Sequence, residues 1–390
     1  MEATYAAGRR ILDCDAHIME PPGWLESYAS SRVRDQLPVM DFGDPAFVAK
    51  IEHSVAAVER RRTDTAELAT ATAEFMAMPR KGWGALGDHD PDERQAVLDL
   101  FGFERQLIFP TGSFPQATAA PVDIRIDAFE AMNRGLSAFA AIDERLLSTA
   151  YVPMPDIETA MRVFTQAVVD GADTIMIDTI PVTGNRSPSH PDFDPFWDAV
   201  VGHNMPVMLH VGLDNGYRPV PPAMFDNGRD LPNFRSDAPG DAVSYMAIGM
   251  PAAILLSSLI FDGVLTRHPG LRFGVTELGA SWVPGFQHFL DSSWRSFRRM
   301  QDLRHLEEVP PSELLRRHCC FAPFAGENIG WAITSSDPDL YMFASDYPHH
   351  EGSDDPIGRF ERTMDDVDTD ARARFFAGNF ERLLGGAPVS

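Results

Sequence analysis

Short apolar runs alternate along this chain with longer stretches whose apolar residues recur every three or four positions. The first run begins at Ile11-Leu12 and passes into Asp13, Asp15 and His17 at two-residue spacing. A strand returns its side chains to one face every second residue. Residues 10–15 therefore read as strand one, with Asp15 and His17 pointing the same way at its end. Pro21-Pro22 breaks any regular element after it. Residues 106–109, closed by Pro110, and residues 147–154, 174–178, 206–212, 271–277 and 340–346 read as further strands, with one more at 319–323. Helices are predicted between them. Phe129, Met132, Leu136 and Phe139 share one side of residues 127–143. Ile157, Ala160, Met161, Phe164 and Val168 do so over 156–169, where Gly171 provides the stop. Asp194-Pro195 reads as an N-cap followed by an N1 proline. Trp282, Phe286, Phe289 and Phe297 form an aromatic stripe suited to core or subunit contact, and Phe375, Phe376, Phe380 and Leu383 mark a last helix.

Strand followed by a helix of ten or more residues, repeated, is the signature of parallel βαβ units. Eight such strands predict an α/β fold: a (β/α)8 TIM barrel, taken as one domain over residues 1–390. Two stretches are too long for plain connections. Residues 24–92 include a helical pattern at Phe47, Ile51, Val55 and Val58; residues 213–242 are rich in Pro, Gly, Asn and Asp. Both are expected as helical and loop insertions over the C-terminal mouth. Trp24, Phe42, Trp83, Tyr217 and Phe225 would supply apolar surface for a lid or a dimer contact. Arg60-Arg61-Arg62 is either a solvated helix face or a contact for a substrate anion.

Charge narrows the partners. Asp plus Glu number 57 against 33 Lys plus Arg, a formal net charge of −24. Such acidity argues against nucleic acid and against an anionic membrane surface as partners. It leaves a small-molecule substrate open, because a bound metal can reverse the local potential. The three cysteines, Cys14, Cys319 and Cys320, form no CxxC pair and suit a reducing compartment. The apolar stretch 248–261 holds Pro251 and falls short of a membrane span. A soluble, cytoplasmic protein is expected, and a homo-oligomer.

Polar residues gather where the strands end. Strand one gives Asp15 and His17, strand five His210, strand six Glu277 and strand eight Asp346. Barrel active sites are assembled at that end, and mixed nitrogen and oxygen ligands suit zinc, manganese or iron. Each residue also has a plain alternative: a polar loop or cap for the first pair, a satisfied core histidine for His210. Together they favour a metal centre of Asp15, His17, His210, Glu277 and Asp346.

Asp13-Cys14-Asp15-Ala16-His17-Ile18-Met19-Glu20-Pro21, Phe193-Asp-Pro-Phe-Trp197, Pro206-Val-Met-Leu-His210, Arg267-His-Pro-Gly-Leu-Arg272 and Phe343-Ala-Ser-Asp-Tyr-Pro-His349 carry a resemblance. The chain, from Asp13 to about Leu384, resembles the second amidohydrolase family, barrel proteins related to aminocarboxymuconate-semialdehyde decarboxylase. The resemblance implies metal-ligand roles for Asp15, His17, His210 and Asp346. Asp15 departs from the His-x-His of that decarboxylase, and Glu277 falls near the sixth-strand histidine of other members. Both departures enrich the site in carboxylates and favour a harder or more oxidisable metal. Glu20, His190, His349 and His350 are expected to support the ligands, touch substrate or hold a second metal.

The function expected first is hydrolysis of a small carboxylate- or carbonyl-bearing metabolite by metal-activated water. Asp346 would take the water's proton, while His190 and His349 would orient substrate or supply a proton. The same ligands would serve a non-oxidative decarboxylase, or a non-heme oxygenase with two iron ions. A barrel that only binds a metabolite is the non-enzymatic alternative.

Overall fold

β1 (Leu12–His17) is buried along its whole length although three of its six residues are ionisable. Its polar side chains are therefore held by protein rather than by water. The computed structural model describes residues 4–40, 45–77, 80–179, 186–213 and 242–385. Two compact units divide the chain: Met1–Tyr151, Gln166–Asp173 and Ala344–Arg359 form the first, Val152–Thr165, Thr174–Phe343 and Phe360–Ser390 the second.

In the first unit β1 pairs in parallel with β2 (Arg105–Phe109), and β2 with β3 (Leu146–Tyr151). The helix Arg125–Ala140 returns onto β3, where Asn133 clamps Tyr151: Nδ2 donates to its carbonyl at 2.9 Å and Oδ1 accepts from its N–H at 2.8 Å. The β1–β2 register shifts between Asp13 and Ala16. A bulge of this kind re-aims the side chains beyond it, here Asp15 and His17. Residues 24–92 carry the helices Trp24–Tyr28, Ser31–Arg34, Pro45–Arg61 and Thr65–Ala73. Ile51 and Val58 are buried, as the helical spacing predicts. This insertion is laced to the polypeptide following β1 and to the loop at 348. Met19 N–H donates to Asp88 O, and Gly82 N–H to Pro348 O.

Arg60 and Arg62 lie on the expected solvated face, whereas Arg61 is buried. Arg61 is buried in a fork–fork pair with Glu93, at 2.7 and 2.8 Å, and also donates to the carbonyls of Gly84 and Ala85. Arg62 pairs with Asp90 and Glu59, and Arg60 with Glu67. The run staples the insertion to itself.

In the second unit β4 (Thr174–Met176), β5 (Val207–Leu209), β6 (Phe273–Val275) and β7 (Cys319–Phe321) pair in parallel in that order. Each is shorter than its apolar run, because hydrogen-bonded pairing stops before the polar residues at the C-terminal end. The expected eighth strand, 340–346, is recorded as isolated bridges. Tyr341 bridges Phe321 in the second unit; Tyr347 bridges Ala16 in the first. Seven parallel strands with intervening helices make an α/β fold; a closed eight-stranded barrel goes beyond them.

The aromatic stripe is only partly core. Trp282 donates from Nε1 to the carbonyls of Leu278 and Gly279, whereas Phe289 is 75% exposed. Residues Ala242–Phe261 are apolar and long enough, by length and composition alone, to cross a membrane; 44% of the most apolar window is buried. Phe42, Tyr217 and Phe225, and the insertion 213–242 except its end residues, lie outside the described residues.

Candidate metal centre

In the first unit the site starts from Asp13, which the sequence left without a role. Its carboxylate accepts from Ser345 N–H at 2.8 Å, Ser345 Oγ at 2.6 Å and Gln106 Nε2 at 2.9 Å. Burial raises its pKa to about 7, against the lowering effect of those hydrogen bonds. Gln106 is held by the buried Arg94, whose Nη1 donates to Gln106 Oε1 and whose Nη2 donates to His17 O. Asp13 thus fixes the residue before Asp346. Two backbone bonds continue the seam: Asp346 N–H to Asp15 O at 2.9 Å and His17 N–H to Tyr347 O at 2.7 Å. Asp346 itself takes a left-handed backbone, φ 55°. For a non-glycine residue that conformation is uncommon and is often found at functional positions.

This seam gathers the side chains. His17 Nε2 lies 3.5 Å from Asp15 Oδ1 and 3.7 Å from Asp346 Oδ1. His349 Nδ1 lies 3.1 Å from Asp346 Oδ1, and the His17 and His349 rings stack with centroids 3.7 Å apart. Bonds of about 2.0–2.2 Å to a shared zinc-like ion place neighbouring ligand atoms at about this separation. Two carboxylates and an imidazole form a donor set suited to a divalent transition metal. The residues present therefore fit a metal ion.

In the second unit His210 follows β5, and its Nδ1 lies 3.0 Å from Val211 O. That contact leaves Nε2 facing Glu277 Oε2 at 3.5 Å. Glu277 follows β6, is 8% exposed and also has a left-handed backbone, φ 51°. The two acidic residues singled out at strands six and eight are thus both at positive φ, a feature with no counterpart in the sequence pattern.

Glu20 is fully buried and accepts from Thr111 N–H, Gly112 N–H and Ser113 Oγ; burial raises its pKa. Its carboxylate organises the turn after β2 rather than presenting itself as an added ligand. His190 is exposed and caps the short helix Pro191–Phe193, with Nδ1 accepting from Asp192 N–H at 3.1 Å. Its recorded contacts are those of a cap. His350 is exposed, and its ring covers Gly82: a Cβ there would stand 2.5 Å from His350 Nε2. Two residues missed in the sequence stand close by. Thr111 Oγ1 is 3.4 Å from His17 Nδ1 and 2.9 Å from His349 Nε2. Lys81 is 3% exposed and donates from Nζ to Ser353 O at 3.0 Å. Thr111 lies just beyond β2, so the rule that located the other candidates would also have found it.

These features define a metal-dependent α/β enzyme class. The amidohydrolase family model matches residues 12–386, and the chain belongs to that family. The fold is similar to that of the amidohydrolase map2389c from Mycobacterium avium subsp. paratuberculosis K-10: 20% identity, 97% of this chain and 100% of that one covered, TM-score 0.70. It is also similar to 2,6-dihydroxybenzoate decarboxylase from Rhizobium (16% identity, 96% and 98% covered, TM-score 0.63). A third similar structure is dihydroxybenzoic acid decarboxylase from Polaromonas sp. JS666, solved with bound manganese (16% identity, 96% and 97% covered, TM-score 0.60). A search of curated proteins finds no match.

Proposed function

We propose that this protein is a metal-dependent, non-oxidative decarboxylase of a small carboxylate-bearing molecule. The observation that carries the metal reading is the spacing of Asp15 Oδ1, His17 Nε2 and Asp346 Oδ1 in the first unit. The sequence expectation that His210 and Glu277 belong to the same ion is part of this proposal and rests on the sequence. Decarboxylation is placed ahead of hydrolysis, reversing the sequence order, because similar folds covering nearly the whole chain are decarboxylases by name.

A bound divalent ion would supply Lewis acidity to hold the substrate and steady developing negative charge. Asp15 and His17 would orient the substrate through that ion. Asp346 would meet the ion through Oδ1 and hold a proton at its other carboxylate oxygen. As the bond to the carboxylate breaks, the electron pair stays on carbon and takes that proton, and carbon dioxide leaves. The family description favours hydrolysis as the second reading; there Asp346 would instead accept a proton from water.

The test uses manganese-loaded protein with 2,6-dihydroxybenzoate, 5-carboxyvanillate and related small carboxylates, alongside esters and amides of the same skeletons. Expected are carbon dioxide release and, in deuterium oxide, one deuteron on the carbon that lost it. Asp346→Asn should slow this about 10²–10⁴-fold. Cleavage of the esters or amides with every carboxylate left intact would replace the proposal with hydrolysis. Unchanged turnover without oxygen would eliminate the oxygenase alternative.

A further inference from the structure

Glu277 sits between two pinned stretches of backbone in the second unit. Before it, Thr276 N–H donates to Leu209 O at 2.9 Å, which ties the end of β6 to the residue that precedes His210. After it, Leu278, Gly279, Ala280 and Ser281 turn the chain into the helix Val283–Phe297. Glu277 and Gly279 both have left-handed backbones, φ 51° and 67°. Leu278, Gly279 and Ala280 are buried. A buried turn has no strand ladder, so its peptide groups need partners from elsewhere.

Two side chains supply those partners. Trp282 Nε1 donates to the carbonyls of Leu278 and Gly279, each at 3.0 Å. The Glu327 carboxylate, buried in the loop after β7, takes the N–H groups. Its Oε1 accepts from Ser281 N–H at 2.7 Å and its Oε2 from Phe324 N–H at 2.8 Å. Ala280 N–H lies between the two oxygens, at 3.2 and 2.9 Å. Glu327 N–H donates in turn to Phe324 O at 2.9 Å, which holds the carboxylate in place. Gly279 rests on this clamp: a Cβ there would stand 3.2 Å from Phe324 Cε2 and 3.4 Å from Glu327 Oε2. Three backbone donors offset the cost of burying the carboxylate. Both oxygens are engaged by backbone.

We infer that Glu327 is a positioning residue for Glu277. Its carboxylate fixes the turn after β6, and the turn holds the left-handed backbone that sets Glu277 Oε2 3.5 Å from His210 Nε2. A non-glycine residue keeps such a backbone only where its surroundings over-determine it. With the clamp loosened, Glu277 returns to an ordinary backbone and its carboxylate leaves His210. What the clamp does to the turn stands on geometry; what it does for an ion rests on the reading proposed above, in which Glu277 and His210 meet a divalent metal. Glutamine matches glutamate in shape but has one acceptor oxygen, and its NH2 would face N–H groups. Glu327→Gln therefore loosens the clamp with little change of volume.

The test compares wild type, Glu327→Gln, Glu277→Gln and the double variant. The first readout is amide hydrogen exchange of the apoproteins over residues 278–282. It should quicken about tenfold or more in Glu327→Gln and stay at the wild-type rate in Glu277→Gln. The second is the manganese dissociation constant by electron paramagnetic resonance. Glu327→Gln should weaken it about 10–100-fold. The double variant should bind no more weakly than Glu277→Gln, because a residue that acts only through the Glu277 carboxylate has nothing to act on once that is gone. Losses that multiply in the double variant would mark a general structural role and overturn the inference. So would unchanged exchange in Glu327→Gln, or a crystal structure of that variant in which Glu277 keeps its left-handed backbone and its place beside His210. Wild type that binds no manganese would overturn the metal reading, and exchange with the crystal structure would still decide what Glu327 does.

Discussion

Lys81 is a cation in a place that disfavours cations. Burial lowers its pKa to about 8, against the raising influence of Asp346, Glu351 and Asp354. The folded state therefore binds its proton less readily than the unfolded chain does. Between pH 8 and about 10.5 the unfolded state holds more of this proton, so stability from Lys81 rises as pH climbs through that window. At pH 7 both states are protonated and the full cost remains. Relative to Lys81→Met, the wild type should gain up to roughly 3 kcal/mol across the window, measured by denaturant unfolding at stepped pH. Parallel curves for the two proteins would show that the side chain is solvated after all. At this scale the sequence was readable where chemistry follows strand position. Asp15, His17 and Asp346 are candidates from the sequence, and the structure sets both carboxylates within 3.7 Å of the His17 ring. Glu20 accepts from residues 111–113, a convergence that nothing local in the sequence shows. The exposure of His190 is a property of the fold that the sequence does not show. Thr111 was passed over although it follows β2 as the named candidates follow their strands, because only ionisable residues were sought there.

The insertion 24–92 is held internally by charge as much as by apolar packing. Arg61 and Glu93 are both nearly buried and bond bidentately. Removing one partner leaves the other charged and desolvated. Glu93→Leu is expected to cost about 3–5 kcal/mol. The double change Arg61→Met with Glu93→Leu should recover most of that, because it removes the stranded charge as well. A double-mutant cycle read by thermal unfolding checks this, and equal losses in the single and double variants would count against it. Element boundaries were legible from periodicity where helices are long: residues 127–143 and 156–169 emerge as Arg125–Ala140 and Ile157–Asp170. Strands in the second unit came out short, because an apolar run marks burial and not the extent of pairing. Arg61 departs from the solvated face of its neighbours because sequence gives its charge without its partner, which lies 32 residues away.

Across the whole molecule, the alternation of strand and helix was sufficient to assign a parallel α/β chain, and the family match over residues 12–386 agrees. The eighth strand was the exception. Its apolar text resembles a strand, but in the structure Ser345 and Asp346 are drawn off by Asp13 and by a left-handed turn. A protein built to hold a metal should be stabilised by it. Free manganese at a hundred times its dissociation constant should add about 2.7 kcal/mol to unfolding. A chelator should reverse the gain, and His210→Ala should shrink it while leaving a folded protein. Identical melting with manganese and with chelator would remove the metal from the account.

The positive backbone angles at Glu277 and Asp346 alter how variants at these positions should be interpreted. Aspartate and asparagine tolerate this conformation; a β-branched side chain does not. Replacing Asp346 with valine would remove the carboxylate and also force the chain to bend elsewhere, so lost activity would mix chemistry with misfolding. Asparagine isolates the charge and glycine isolates the backbone. A library screened only for activity would score all three as equally dead. Sorted by yield of folded protein, asparagine and glycine should separate from valine, and position 346 would show two constraints where a single tolerance score shows one.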